Sequence, residues 1–179
     1  RQDQEHLLHE MAERFSVALQ SSDWTFDKVL PQSRVYPDIV EQTSKRTAYF
    51  LVDALRYEMG VELSRQLEDT EGFAFEPAVA GLPTLTRVGM AALLPGASSS
   101  FSVIEHKHDL AVRIGDSILS TKKERVSYLK ARVPDCVDLT LDRVLQKSKS
   151  QVKKQIGDSS LVLVHSQEID ALGELGSEL

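Results

Sequence analysis

The sequence has almost no cysteine and no long apolar run. Cys136 is the single cysteine among 179 residues, so no disulfide can form within the chain. This composition is typical of proteins that work in a reducing compartment, and we expect a cytoplasmic location. No apolar stretch approaches the roughly 20 residues that a membrane-spanning helix requires. We therefore expect no association with a membrane.

The first residues also lack features of a processed or complete chain. The segment RQDQEHLLHEM contains no apolar block of the kind that a secretory signal peptide carries. It also lacks an initiating Met, and on that ground we expect the chain to be part of a longer protein.

Charge is unevenly distributed along the chain. The formal net charge is −6, yet residues 107–154 carry twelve Lys and Arg against six Asp and Glu. The basic residues lie mostly in two clusters, Lys122–Arg132 and residues 147–154. Such clusters are typical of solvated helix faces, but they are also the residues that bind phosphate or nucleic acid. Tyr128 is the one aromatic residue among them, so binding by base stacking has little support.

Apolar segments that alternate with helical patterns predict an α/β fold with a mainly parallel sheet flanked by helices. Residues 48–52 and 161–164 are apolar enough for strands buried on both faces. A strand or an extended arm is predicted at 73–79, and a short strand at 111–114. A surface loop is predicted at 97–102. The predicted helices are residues 4–21, 55–68, 87–94, 122–132 and 141–156.

A weakly patterned stretch near the N-terminus predicts two units in the chain. Pro31 and Pro37 interrupt residues 24–47, which is typical of a connector. We expect residues 1–44 to form a helical arm and connector, and residues 45–179 to form the main domain. Trp24 and Phe26 are expected to be packing anchors between the two.

Acidic side chains follow both of the strongest predicted strands. Asp53 comes directly after residues 48–52, and Asp170 follows residues 161–164 after a short interval. Because the carboxyl ends of parallel strands meet at one edge of a sheet, these carboxylates could share a divalent cation. An Asp at a strand end can equally cap the next helix. His165, which ends the second strand, is a further candidate for this site.

Two hydroxyls, those of Thr84 and Thr86, precede the helix predicted at 87–94. Capping explains one of them, and a helix start of this kind also attracts phosphate. A nearby cation would make a threonine hydroxyl a competent nucleophile. Arg56 and Arg87 follow Asp53 and Thr86 closely, so each is a candidate for binding phosphate. Arg56 could equally form a salt bridge with Glu58 or another acid.

Three segments, VDALRYE, PTLTRVGMAALLPG and VHSQEIDALGE, together resemble the PglZ domain in order and spacing. That family belongs to the alkaline phosphatase superfamily and occurs in bacterial phage-exclusion systems of the BREX type. The resemblance covers residues 43–174 and implies an alkaline-phosphatase-like, metal-dependent phosphoesterase or phosphodiesterase. It identifies Asp53 as the first metal-binding Asp, Thr86 as the nucleophile and Asp170 as the Asp of the second metal-binding segment.

The resemblance further implies a site for two divalent metal ions, Zn or Mn. It also implies partners among other phage-defence proteins, a DNA methyltransferase included. The sequence departs from the family pattern at Glu174, where the superfamily usually has a His that favours zinc. An Asp-His pair and a final His have no counterpart after Asp170. We expect either that these ligands lie outside this sequence, or that the chain is a catalytically incomplete scaffold in a defence complex. A nucleic-acid-binding module that uses the basic helical face is the remaining alternative.

Overall fold

The computed structural model describes residues 2–22 and 28–176, with side chains for residues 4–22 and 28–173. Trp24 and Phe26, the expected packing anchors, lie outside these residues. The elements, in chain order, are α1 (Gln2–Ser21), β1 (Leu30–Pro31), β2 (Thr47–Val52), α2 (Tyr57–Leu67), β3 (Ala78–Val79), α3 (Thr86–Ala92), α4 (Ala97–Ser100), β4 (Phe101–His106), β5 (Asp109–Ile114), β6 (Ser117–Leu119), α5 (Lys122–Arg132), β7 (Val137–Thr140), α6 (Leu141–Leu145), α7 (Lys149–Ile156), β8 (Leu161–Ser166) and α8 (Glu168–Gly176). A 3-10 turn at Gln32–Arg34 and a π turn at Tyr36–Val40 connect β1 to β2.

A parallel sheet in the order β2-β8-β7 places the candidate site. Along β2 and β8, Thr47 pairs with Leu161 and Val52 pairs with Ser166. Strand β7 joins the other side of β8, so that Thr140 lies beside His165. The prediction of a mixed α/β fold with parallel strands and flanking helices is therefore confirmed. All three strands end at the same edge, where their carboxyl termini come together.

The core fills the space between this sheet and its covering elements. Val88 on α3, Leu129 on α5 and Leu163 on β8 are each at most 1% exposed. Burying an apolar side chain of this size stabilises a fold by about 1.5–3 kcal/mol. These contacts hold α3 and α5 in place beside the sheet, and both helices contribute side chains to the pocket described below.

A second sheet is antiparallel, with the order β4-β5-β6. The loop predicted at 97–102 is wrong, because α4 and the start of β4 occupy those residues. Strands β4 and β5 form a hairpin that the sequence did not predict, and the turn between them explains why. Lys107 and His108 both have positive φ, 54° and 64°, which Asn and Gly usually supply in such turns.

Two further predictions need correction. Residues 73–79 were expected to be a strand or an extended arm, and only Ala78–Val79 forms a strand, which pairs in parallel with Leu30–Pro31. The single helix predicted at 141–156 is two helices, α6 and α7. They are separate because Ser148 begins a new helix with a capping box, in which its side chain and that of Gln151 each accept from the other residue's backbone N–H.

The remaining predicted elements agree with the structure to within a few residues, including α1 for residues 4–21 and α5 for residues 122–132. Within the described part of the chain, every helix is too short or too polar to cross a bilayer. The boundary predicted near residue 45 stays a prediction.

Candidate active site

A pocket opens at the carboxyl edge of β2 and β8. Helices α3 and α5 form its walls, and Leu51, Met90 and Leu163 supply apolar lining. Its polar lining consists of Asp53, Thr86, Lys122, Arg125, His165, Ser166 and Gln167. The parallel pairing of the two strands thus brings residues from four distant parts of the sequence into one cavity.

Asp53 is a buried carboxylate, only 6% exposed, directly after β2. Its backbone N–H donates to the Ser166 carbonyl at 2.9 Å, which extends the pairing of β2 with β8 by one residue. The chain then turns sharply, because Ala54 adopts a left-handed conformation with φ of 57°, which is uncommon for a residue other than glycine. The Ala54 N–H donates to Asp53 Oδ1 at 3.1 Å, so this turn also orients the carboxylate.

Thr86 begins α3 and lies beside Asp53. Its hydroxyl donates to Asp53 Oδ1 at 3.3 Å, a long distance for a hydrogen bond between two oxygens. Leu85 occupies the N-cap position and no side chain caps the helix, so the capping alternative does not account for the Thr86 hydroxyl. Thr86 is exposed to solvent and lines the pocket. Thr84 is also exposed but does not line this pocket.

His165 lines the pocket and contacts Asp138 of β7. The imidazole Nε2 lies 2.9 Å from Asp138 Oδ1 on the adjacent strand. Both atoms are buried, so this contact is shielded from solvent. Burial alone would raise the pKa of Asp138. The contact with His165 and the charges of Lys122 and Lys130 outweigh burial, so the pKa lies below its usual value.

Arg125 is the residue of this pocket whose role the sequence did not suggest. Its Nη1 is buried and has no hydrogen-bond partner. Burial lowers the pKa of this guanidinium, and the nearby charge of Asp53 works in the opposite direction. One signal was available in the sequence. Leu129 lies four residues after Arg125, on the same face of the helix. Because Leu129 is apolar, its position indicates that this face, Arg125 included, points toward the interior.

Other predicted residues lie elsewhere. Arg56 is the exposed N-cap residue of α2. Arg87 is engaged outside the pocket, where it pairs with Asp109 and donates to the Leu110 carbonyl at 2.9 Å. Asp170 lies half-buried in the first turn of α8 and does not line the pocket. The backbone of Glu174 belongs to α8, but its side chain is outside the described residues. The catalytic or ligating roles of all these residues stay predictions.

The residues present fit a divalent cation in part. The Asp53 carboxylate and the Thr86 hydroxyl are oxygen donors of the kind that hard cations bind. No three His, Cys, Asp or Glu side chains gather closely enough to hold a metal ion, as far as residues 4–22 and 28–173 are concerned. Asp53 therefore fits as one ligand, and a complete site needs further residues.

Comparisons with known proteins show the family of the chain. The family model described as "BREX system PglZ alkaline phosphatase-like domain" matches residues 30–178. The alkaline phosphatase-like protein PglZ of Bacillus cereus is 26% identical over 176 residues, which are 93% of this chain and 20% of that protein. The alkaline phosphatase-like protein BrxZ of Escherichia coli is 27% identical over 145 residues, which are 80% of this chain and 16% of that protein. No solved structure matches the chain. The chain spans about a fifth or less of the length of these curated relatives.

Proposed function

This chain belongs to the family of BREX system PglZ alkaline phosphatase-like domains, and on that premise we propose that it hydrolyses phosphoesters, phosphodiesters among them. One observation carries the proposal. An exposed hydroxyl, that of Thr86, lies 3.3 Å from the buried Asp53 carboxylate in a pocket at the carboxyl edge of a parallel sheet. Open α/β sheets commonly carry their chemistry at this edge.

The proposed reaction begins with attack on phosphorus by the Thr86 Oγ1. Asp53 accepts the hydrogen bond of the hydroxyl, which orients the oxygen and gives its proton an acceptor. The new bond joins Oγ1 to phosphorus, the bond to the leaving alcohol breaks, and that alcohol takes up a proton. Water then cleaves the phosphothreonine ester and regenerates the hydroxyl.

A divalent cation is part of this proposal. Bound at Asp53, a Zn or Mn ion would activate the hydroxyl and neutralise charge on the phosphoryl oxygens. Among the described residues, Asp53 and Thr86 would hold it. Asp170 is proposed as a further ligand, and Glu174 and His165 are proposed as additional members of the site.

The partner proteins and the location of this chain are proposed from the names of its relatives. Since those relatives are named PglZ and BrxZ, we propose that this chain works with other proteins of a BREX phage-defence system, a DNA methyltransferase among them. A cytoplasmic location is proposed with them.

A second candidate function is a scaffold that keeps the fold without turnover. The observation that favours it is the small number of metal ligands, because the described side chains include no cluster of three. In that case the domain would bind its partners and hydrolyse nothing.

The test is hydrolysis of a chromogenic phosphodiester and a chromogenic phosphomonoester by the natural-length protein, with Zn²⁺ or Mn²⁺ added. We expect Thr86→Ala to reduce kcat by about a thousandfold or more, Asp53→Asn to reduce it strongly, and Thr86→Ser to keep part of it. The exposed Thr70 in the turn after α2 provides the matched control, Thr70→Ala, with unchanged kcat. Activity that survives Thr86→Ala contradicts the assigned nucleophile. A wild-type protein that hydrolyses neither ester with either metal supports the scaffold.

A further inference from the structure

A groove runs between strand β6 and helix α5, at the edge of the antiparallel sheet. Ser117, Ile118 and Leu119 form one wall, and residues of α5 between Lys123 and Arg132 form the other. None of the residues that line this groove also lines the pocket at the carboxyl edge of the parallel sheet. The groove is therefore a second surface feature, separate from the candidate active site.

Strand β6 has an edge without a partner. The strand order is β4-β5-β6, and among the described residues no strand pairs with the far side of β6. The exposed edge of a sheet presents backbone N–H and C=O groups, to which an extended segment of another chain can add as a further strand. The free edge of β6 faces the groove, with α5 beside it.

Ile118 supplies the free backbone groups of this edge. Ile114 and Ser117 pair across a two-residue turn that begins with Gly115, whose φ of 57° suits the first central position of a type II′ turn. The residues that flank such a turn exchange both of their hydrogen bonds, and bonded and non-bonded pairs alternate along an antiparallel ladder. The next pair, Arg113 with Ile118, is thus a non-bonded one. The N–H and C=O of Ile118 consequently point away from β5, towards the free edge.

Basic side chains stand at both ends of the helical wall. Lys123 lies in the first turn of α5 and Arg132 is its last residue, and both are exposed. Neither is paired with an acid among the described side chains. The Arg132 guanidinium lies 3.4 Å from the centre of the Tyr128 ring and donates to the Tyr128 carbonyl at 3.3 Å. These contacts hold the group in place and leave most of its five N–H donors available.

The remaining side chains of this wall do not oppose an anionic ligand. Glu124 is the acid among the lining residues, and its carboxylate is engaged by the backbone N–H groups of Ser120 and Thr121. Ser127 and Ala131 are exposed and lie one helical turn apart, between the two basic residues. Side chains this small leave room for a polypeptide backbone to lie along the helix.

We propose that this groove binds an extended acidic segment of a partner protein, which adds to β6 as an antiparallel strand. In that pairing, one residue of the segment bonds with both the N–H and the C=O of Ile118. Lys123 and Arg132 are separated by about 14 Å along the axis of α5, at the rise of about 1.5 Å per helical residue. Four residues of a strand cover about 13 Å. Carboxylates four residues apart lie on one face of a strand, so their spacing matches that of the two basic residues.

A nucleic-acid strand is the other anionic ligand to weigh against a peptide. Glu124 would place a carboxylate next to its phosphates. The Tyr128 ring is only 6% exposed and is covered by Arg132, so it offers no surface on which a base can stack. A free strand edge, moreover, matches the hydrogen-bonding pattern of a peptide backbone. The groove therefore favours the acidic peptide, and this interaction is independent of phosphoester hydrolysis.

The first experiment measures peptide binding to the natural-length protein by fluorescence anisotropy. The probe is the amidated peptide Thr-Glu-Thr-Val-Thr-Glu-Thr with fluorescein at its amino end, in which the two Glu residues are four positions apart. The control peptide, Thr-Glu-Thr-Val-Glu-Thr-Thr, has the same composition, but its Glu residues are three positions apart and lie on opposite faces. We expect the control peptide to bind about threefold or more weakly, because it can reach only one of the two basic residues.

The matching protein variant is Lys123→Glu. An acid is favourable in the first turn of a helix, so the variant should fold, and we expect it to bind the probe about fivefold or more weakly. Lys149 occupies the first turn of α7, is exposed and does not line the groove. Lys149→Glu therefore makes the same change of charge at a similar helical position, and it should bind the probe as wild type does.

The second experiment tests strand addition without changing the protein. A series of probes carries one N-methyl group at successive interior residues. We expect methylation of the residue opposite Ile118 to abolish binding, because it removes the N–H that pairs with β6. Methylation of the next residue, whose N–H points away from β6, should leave most of the binding.

Each result either supports the inference or overturns it. The groove does not bind acidic segments if the natural-length protein ignores the probe, binds both peptides equally or binds equally well as Lys123→Glu. Binding that responds in the same way to every N-methyl group rejects the added strand. If the protein ignores the probe but binds an oligothymidylate, and Lys123→Glu weakens that binding, the groove is a nucleic-acid site and the inference is wrong.

Discussion

His165 and Asp138 lie side by side on adjacent parallel strands, with the imidazole Nε2 2.9 Å from the carboxylate Oδ1. The pair links β8 to β7, and its histidine lines the pocket together with Asp53 and Thr86. It also places a titratable contact inside the sheet that forms the site, and the stability of that sheet should therefore depend on pH.

The first prediction concerns this pH dependence. Burial works to raise the pKa of Asp138, but His165, Lys122 and Lys130 together bring it below the usual value. A carboxyl group whose pKa is lowered by folding stabilises the protein above its unfolded pKa of about 4, and that stability is lost as the pH falls through the folded pKa. Urea unfolding between pH 6 and 3 should show a shallower loss of stability for Asp138→Asn than for wild type. Asp116→Asn, at an exposed turn, serves as the control. Equal slopes for wild type and Asp138→Asn contradict the prediction.

The second prediction concerns the anchor of α5. Leu129 is 1% exposed and belongs to the core. Leu129→Ala should lower the free energy of unfolding by about 2–5 kcal/mol, because it removes buried methyl groups and leaves a cavity. Leu145→Ala, on a side chain that is 74% exposed, should change it by less than about 0.5 kcal/mol. Denaturant unfolding measures both, and similar losses would mean that α5 is not packed as described.

The third prediction concerns the start of the same helix. The Thr121 side chain accepts from the Glu124 backbone N–H, and the Glu124 carboxylate accepts from the backbone N–H of Thr121 and of Ser120. Thr121→Ala should cost about 0.5–2 kcal/mol of stability, while Thr121→Ser should retain most of the cap. Hydrogen exchange of the first α5 amides gives a local readout. Protection that is identical in wild type and Thr121→Ala would show that the cap contributes nothing.

The fourth prediction concerns Gly96, between α3 and α4. Its φ is 81°, and an added Cβ would lie 3.2 Å from the Tyr128 hydroxyl and 3.4 Å from Ile114 Cγ2. Gly115 also has a positive φ, 57°, but an added Cβ there meets nothing within 4 Å. Gly96→Ala should therefore destabilise the protein by about 1–3 kcal/mol more than Gly115→Ala. Both variants place an alanine at positive φ, but only the methyl group at position 96 is crowded by neighbouring side chains. Equal changes in the free energy of unfolding would show that the Tyr128 side chain moves aside without cost.

The parallel sheet was predictable because its two longest strands carry nearly continuous apolar runs. Residues 161–164 of β8 are buried or half-buried throughout, and burial on both faces leaves a clear pattern in the sequence. The same expectation for residues 48–52 is wrong, because Ala48 and Phe50 are exposed on the edge strand β2. The antiparallel sheet has a weaker pattern in the sequence. Its β4–β5 turn uses Lys107 and His108 at positive φ, so the sequence lacked the usual turn residues that would have predicted a hairpin.

The parts of the candidate site that could be predicted are the residues whose place depends on the neighbouring sequence. Asp53 and Thr86 each stand at the junction of an apolar run with another element, and the structure brings them within 3.3 Å of one another. Asp138 and Arg125 were missed because their importance depends on neighbours that are remote along the chain. Asp138 acquires its role from His165 on the next strand. Arg125 acquires its role from a cavity that forms only when α5 packs against the sheet.

The strand order β2-β8-β7 has a consequence for biosynthesis. Strand β8 is synthesised after β2 and β7 but must insert between them, so Thr47 of β2 cannot pair until Leu161 of β8 has been made. Distant pairings of this kind form slowly. A nascent polypeptide that stalls before β8 already carries Asp53 and Thr86 but has no strand to join β2 to β7. Such a product cannot assemble the pocket, because His165 and Ser166, which line it, are not yet synthesised.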